Sequence, residues 1–182
     1  MSCAAIILAA GESRRLGQPK QLLIHEGETL LQRALRIAEE AGCSPVIAVL
    51  GGNAHSILNS WKGPHVLNED WREGMSSSIR RGVAAAGDAT GLLLMVCDQP
   101  RITADDLRRL RTSGEIAASE YNGTVGVPAY FDRKYFPELL ALEGYKGAKS
   151  ILLRHAERLA RVPCPGAAVD IDAVSDLKSL AS

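Results

Sequence analysis

Leu8-Ala9-Ala10-Gly11-Glu12-Ser13-Arg14-Arg15-Leu16-Gly17-Gln18-Pro19-Lys20 directly follows the apolar run Cys3-Ala4-Ala5-Ile6-Ile7. An unbroken run of small and β-branched residues reads as a buried strand, and the small residues that end it let backbone come close to a ligand. Gly11 and Gly17 bracket a loop whose amides can turn inward, and Arg14, Arg15 and Lys20 bring positive charge to it. A polyphosphate suits such a loop. It is not a Walker A loop: residues 12–16 separate the glycines, one more than that motif has, and Gln18-Pro19-Lys20 stands where Lys-Ser/Thr would follow. Nor is it the dinucleotide fingerprint, since Glu12-Ser13 follows Gly11 and Pro19 blocks a helix there.

Outward from this loop, strand and helix signals alternate. Residues 29–41 read as a helix, with Thr29-Leu30-Leu31-Gln32 in capping-box form, an apolar face of Leu31, Ala34, Leu35, Ala38 and Ala41, and Gly42 as its stop. Pro45-Val46-Ile47-Ala48-Val49-Leu50 is a continuous apolar run of the kind buried on both faces of a parallel sheet, which completes a βαβ unit. A short helix over 54–61, a short strand over 65–67, a helix over 75–86 and a very apolar strand over 91–97 repeat the pattern. The expected fold is α/β, a doubly wound, mostly parallel sheet flanked by helices, with ligands beyond the carboxyl ends of the strands. The second half is less regular: strand over 114–120, a turn at Asn122-Gly123, an extended segment over 125–131, and helices over 135–142 and from 147.

At 182 residues and 46% hydrophobic, the chain suits one core and a single domain spanning 1–182. Lys+Arg and Asp+Glu balance at 21 each, so no overall basic field favours nucleic acid or an anionic membrane. Cys3, Cys43, Cys97 and Cys164 form no C-x-x-C pair and imply neither a disulfide framework nor a zinc site. The apolar start lacks a basic n-region and is too short for a signal peptide or a membrane span, so a cytoplasmic protein is expected. The four His residues, His25, His55, His65 and His155, have no partner at metal or triad spacing.

Three further stretches carry chemistry. Asp98, in Cys97-Asp98-Gln99-Pro100, emerges where the most apolar strand ends, and a divalent cation is one way to satisfy an acid so placed. The acids of Thr103-Ala104-Asp105-Asp106 are accounted for as a capping box. Val169-Asp170-Ile171-Asp172 puts two acids on one face of an extended segment, where they repel unless something positive binds them. Lys146 and Lys149, near the start of the last helix, rank behind Arg15 and Lys20 as phosphate ligands.

The pattern L-A-A-G-x-S-x-R-x-G-x-x-K, met by Leu8 to Lys20, resembles the nucleotide-diphospho-sugar transferase-like nucleotidyltransferases, in particular the branch with the molybdenum cofactor cytidylyltransferase and its guanylyltransferase relative. The string from Asn68 through Gly74-Met75 to Ser78-Ile79 resembles that family's N-x-x-W-x-x-G-M-x-x-S-I segment, and Asp98-Gln99-Pro100 its D-x-P motif. Gly126, Pro128 and Phe131 match a G-x-P-x-x-F segment, and Asp170-Ile171-Asp172 with Asp176-Leu177 match a closing D-I-D-T-P-E-D-L in which Thr-Pro-Glu is replaced. The resemblance implies a Rossmann-like fold and transfer of a nucleoside monophosphate to a phosphorylated acceptor, with pyrophosphate leaving. It implies nucleotide contacts from Leu8, Ala9, Ala10, Gly11, Arg15, Lys20, Asn68, Gly74 and Ser78. It implies acceptor contacts from Gly126 and Pro128, and magnesium on Asp98 and Asp170, with Asp172 as alternative ligand or helix cap. Arg15, Lys20 and Asp98 are the expected catalytic groups. Ala10 favours CTP over GTP, and the implied acceptor is molybdopterin or its molybdenum-loaded form, with a molybdenum hydroxylase apoenzyme as partner. The alternatives are the same chemistry with GTP or a sugar phosphate, and a non-catalytic nucleotide-binding or cofactor-delivery protein.

Overall fold

The computed structural model describes residues 2–180; residues 1, 181 and 182, included in the expected single-domain span, lie outside them. In chain order the regular elements are β1 (Cys3–Ala9), β2 (Ile24–His25), β3 (Glu28–Thr29), α1 (Leu30–Glu40), β4 (Val46–Leu50), α2 (Ala54–Ser60), β5 (His65–Leu67) and α3 (Met75–Ala85). Then come β6 (Gly91–Val96), α4 (Ala104–Thr112), β7 (Ile116–Tyr121), β8 (Thr124–Asp132), α5 (Phe136–Leu140), α6 (Lys149–Arg154) and β9 (Ala160–Pro163). The capping box of α1 is formed: Gln32 N donates to Thr29 Oγ1 at 3.1 Å and Thr29 N to Gln32 Oε1 at 2.9 Å. The same device starts α4, where Asp106 N donates to Thr103 Oγ1.

Seven strands form one sheet in the order β5-β4-β1-β6-β8-β7-β9. Strand β1 is central, parallel to β4 on one side and β6 on the other. Every residue of β1 is buried, because its alternate side chains enter two different cores. Cys3, Ala5, Ile7 and Ala9 face α1, α2 and α4, whereas Ala4, Ile6 and Leu8 face α3, α5 and α6. Burying Ile6 and Ile7 completely is worth about 1.5–3 kcal/mol each, and this is why the opening run is apolar without alternation.

From β1 the chain winds outward through β4 to β5, returns over α3, and continues on the other side of β1 with β6. The carboxyl ends of β1 and β6 therefore flank a topological switch point, where connecting segments diverge and leave a crevice. The sheet is not parallel throughout: β8 runs antiparallel to both β6 and β7. Asn122 and Gly123, both with positive φ (48° and 72°), make the tight hairpin that reverses the chain. Strand β9, parallel to β7, has no counterpart in the sequence reading, because Arg161 and Pro163 interrupt the apolar pattern of a short edge strand. The helix expected over 135–142 is a 3-10 turn followed by five residues of α5, and the one from 147 begins at Lys149. Among the described residues, no helix is long and apolar enough to cross a membrane.

Candidate active site

At the end of β1 the carbonyl oxygens are tied down from behind. Gln21 Nε2 donates to Ala9 O at 2.8 Å and Gly11 O at 3.1 Å, Asn53 Nδ2 donates to Gly11 O at 3.2 Å, and Gly52 N to Ala10 O at 2.9 Å. Among the described residues the amides of 11–15 donate to no protein acceptor, which leaves a row of N–H groups for an anion. Ser13, at φ 57°, bends this loop and its Oγ accepts from Lys20 N at 3.1 Å, closing the loop on itself.

Lys20 is the point where three segments meet. Its Nζ forms a close ion pair with Asp98 Oδ2 and lies 3.3 Å from Asp172 Oδ1. Asp172 also accepts from Arg15 Nη2 at 2.8 Å. Desolvation works against the Lys20 charge, but the Asp98 carboxylate, with help from Asp172, outweighs it and holds the ammonium above the usual lysine range. The acidic segment is brought in by one backbone bond, Ile171 N to Asp98 O at 2.9 Å, and by the wholly buried Ile171 side chain beside Leu16 and Leu30. Ile171 faces inward, so its neighbours Asp170 and Asp172 face out toward the loop, as the extended alternation required.

The two acids differ. Asp172 contacts both cations, whereas Asp170 has no ion pair among the described residues. Its carboxyl is held above the usual aspartate range, first by desolvation and then by the negative charges of Asp98 and Asp172. Asp98 is buried, and among the described residues its Oδ1 has no hydrogen-bond partner. Hard carboxylate oxygens that repel one another, one of them orphaned, fit a divalent cation held by one or two acids with phosphate oxygens completing its shell. Among the described residues no three His, Cys, Asp or Glu side chains form a cage without such help.

A cleft of about 240 Å³ opens here. Leu8, Ala9, Ala10, Gly11, Lys20, Gly74, Ser78 and Asp98 line it, together with Gln21, Trp71, Met75 and Val96. Gly74 has φ 116°, and a Cβ there would stand 2.6 Å from Gly144 O, so this wall requires glycine. Asn68 is not on the wall. It is buried behind it, its Nδ2 donating to Ser77 Oγ and Ser78 Oγ at 2.9 and 3.0 Å and its Oδ1 accepting from Asp70 N, so it shapes the loop that presents Ser78. Arg15 stands exposed at the edge.

Gly126 and Pro128 are buried in β8, outside the cleft wall. Gly126 makes room for Tyr121, whose hydroxyl would be 2.6 Å from a Cβ there. That hydroxyl is held above its usual range by burial and then by Asp170, which places this part of β7 and β8 beside the acids. Gln99 Nε2 ties the end of β6 to the same region through Val127 O and Ala167 O. Gln21 and Gln99 are the structural residues that sequence reasoning missed. Each is buried with its Nε2 on two backbone carbonyls, and no periodicity marks an isolated polar residue with that role. Cys97, beside Asp98, is pushed up to about 12 by burial and is a packed, unreactive thiol.

Residues 5–159 match the MobA-like NTP transferase domain. The chain is 31% identical to the nicotine blue oxidoreductase of Paenarthrobacter nicotinovorans, over 96% of this chain and 94% of that one. It is 34% identical to a probable molybdenum cofactor guanylyltransferase of Opitutus terrae, over 62% of this chain and 57% of the relative. Among solved structures, Rv0371c from Mycobacterium tuberculosis H37Rv superposes with a TM-score of 0.87 at 33% identity, covering 99% of this chain and 97% of that one. A second structure of Rv0371c is a complex with manganese and superposes at 0.82, 30% identical, covering 99% and 98%.

Proposed function

The chain belongs to the MobA-like NTP transferase family and is a nucleotidyltransferase, and from that premise we propose that it transfers CMP from CTP to molybdopterin or the molybdenum cofactor, releasing pyrophosphate. The observation that carries this reading is the row of free loop amides beside a lysine clamped between Asp98 and Asp172 at the switch point. A triphosphate bound along residues 11–15 would have its charge met by Lys20 and Arg15, with the nucleoside against Gly74 and Ser78. The acceptor enters from the β8 side, the strand in which Gly126 and Pro128 lie buried. Its phosphate oxygen attacks the α-phosphorus, the bond to the bridging oxygen breaks, and the electron pair leaves with pyrophosphate. A phosphate monoester is mostly ionised at neutral pH, so no side chain has to take a proton. In-line positioning and neutralised charge suffice. Asp98 and Asp170 would hold a divalent cation, magnesium by preference, whose charge when bound supports the phosphates. The manganese in the Rv0371c complex is in keeping with such a cation. Ala10 supports cytosine, and a molybdenum hydroxylase apoenzyme is the implied recipient of the product.

The test is pyrophosphate release with magnesium, molybdopterin and each of CTP, GTP, ATP and UTP, with Asp98→Ala as control and nicotine blue turnover followed in parallel. Release with CTP alone, lost in the variant, supports the reading. Release with GTP keeps the mechanism and overturns the base assignment, and release with sugar phosphates alone overturns the acceptor. Nucleotide binding without release points to cofactor delivery, and nicotine blue turnover without release overturns the transfer reading.

A further inference from the structure

At the opposite end of β1 from the cleft, Cys3 meets the loop that follows α1. The thiol of Cys43 donates to Cys3 Sγ across 4.0 Å, and Ser44 N donates to Cys3 O at 2.8 Å, so the two backbones are adjacent. A disulfide needs neighbouring Cα atoms and sulfurs about 2.05 Å apart, so the two sulfurs have to close from 4.0 Å. Arg111 of α4 caps this corner through Ala41 O, and among the described residues no carboxylate pairs with it. A recess of about 360 Å³ at the surface is lined by Cys3, itself buried, together with Arg108, Arg111, Thr112 and Tyr130.

We propose that Cys3 and Cys43 form a dithiol that a hydroperoxide oxidises, Cys3 as the attacking sulfur and Cys43 as the resolving one. The Cys3 sulfur attacks one peroxide oxygen, forming S–O as O–O breaks, and the departing oxygen takes a proton to leave as water or an alcohol. Cys43 sulfur then attacks the Cys3 sulfenic acid, forming S–S as S–O breaks, and the released hydroxide takes the Cys43 proton. Two thiols are oxidised and one hydroperoxide is reduced. The hydrogen bond from Cys43 lowers the Cys3 thiol below its usual range, burial opposes this, and Arg111 reinforces it; Cys43 is raised. All four thiols are buried; Cys97 and Cys164, which burial raises and which have no second sulfur beside them among the described residues, are the internal controls.

Native protein would be treated with one equivalent of hydrogen peroxide, alkylated and mapped by mass spectrometry. The expected result is loss of two of the four thiols, with Cys3 and Cys43 linked and both recovered by dithiothreitol. Cys43→Ser should give a dimedone adduct on Cys3, and Cys3→Ser should slow thiol loss at least ~10-fold. Retention of all thiols, or oxidation of Cys97 or Cys164 first, overturns the proposal even if neither variant folds. A dimedone-silent Cys43→Ser that folds also overturns it.

Discussion

Replacing Lys20 with methionine strikes the residue that three segments share. The Lys20 side chain is 19% exposed and that of Asp98 11%, so the variant leaves a carboxylate largely out of water, with Oδ1 already orphaned and Asp170 and Asp172 repelling it. Removing one partner of a buried pair costs about 3–5 kcal/mol, and the open cleft reduces this to roughly 2–4 kcal/mol. For a chain of 182 residues that is a fall in Tm of roughly 5–15 °C. Asp98→Asn removes the charge instead, and Lys20 keeps Asp172 at 3.3 Å, so its cost should stay under about 1.5 kcal/mol. The double variant should then be at least ~1 kcal/mol more stable than Lys20→Met alone. Because the folded-state value of Lys20 is raised, its contribution is present through neutral pH and is lost only as pH climbs past the ordinary lysine range through the folded value. The gap between wild type and Lys20→Met should close in that alkaline window. Urea unfolding of the nucleotide-free protein reads all of this, while both single variants should lose about 10²–10⁴ in pyrophosphate release. If Lys20→Met is as stable as wild type, or the double variant is no better than it, Asp98 does not depend on Lys20 for its charge and the clamp described above is wrong.

Asp170→Asn should have the opposite sign. An aspartate raised in the folded state costs stability once pH passes its unfolded value, so the variant should gain stability at neutral pH, on the order of a few tenths of a kcal/mol for so exposed a group, and gain none in acid, which paired melts at the two pH values would show. Ile171→Ala empties the small cluster of Leu16, Leu30 and Ile171 and should cost about 2–4 kcal/mol; a larger fall in turnover than in nucleotide affinity would identify it as the anchor of both acids. In Gly82→Ala the new Cβ would overlap Ile6 Cγ2 and press on Val49 Cγ2 at 3.1 Å, a cost of about 1–3 kcal/mol by chemical denaturation with KM unchanged, since α3 meets β1 there away from the cleft.

Much of this was legible because the signals were local. The apolar runs that became β1, β4 and β6 and the capping box of α1 each express a physical rule within a few residues. What escaped were relations between distant segments. Nothing in the 125–131 run states that β8 runs against β6, since a strand buried on both faces reads the same in either direction. Asp98, Lys20 and Gly11 could be singled out from sequence, yet the contact of Asp172 with Lys20 and Arg15 depends on a bond between Ile171 and Asp98, which lie far apart along the chain. Asn68 belongs to a matched motif and lies one layer behind the wall it shapes, a depth that spacing cannot express.

The arrangement also explains why the acids come from the chain's last segment and not from the sheet. A strand end at the switch point can carry one acid, Asp98, because the next residues turn away and Gln99 and Pro100 are committed to packing. On the proposed reading, a second acid on β1 would face the loop amides and repel phosphates bound there. Supplying it from a separate extended piece solves both problems: Ile171 seats that piece against Leu16 and Leu30, and alternation delivers Asp170 and Asp172 to the open side. Asp172 pairs with Lys20 and Arg15 at the loop, and Asp170, which has no ion pair among the described residues, lies where Tyr121 and β8 approach. Charge is thus divided across the crevice, with Lys20 and Arg15 beside the loop and Asp170 toward β8, the nucleotide and acceptor sides of the proposed transfer. On the transfer proposed above, an acceptor phosphate comes in-line only once that acid is screened, so cation and nucleotide enter before acceptor, an order that follows from the position of Asp170.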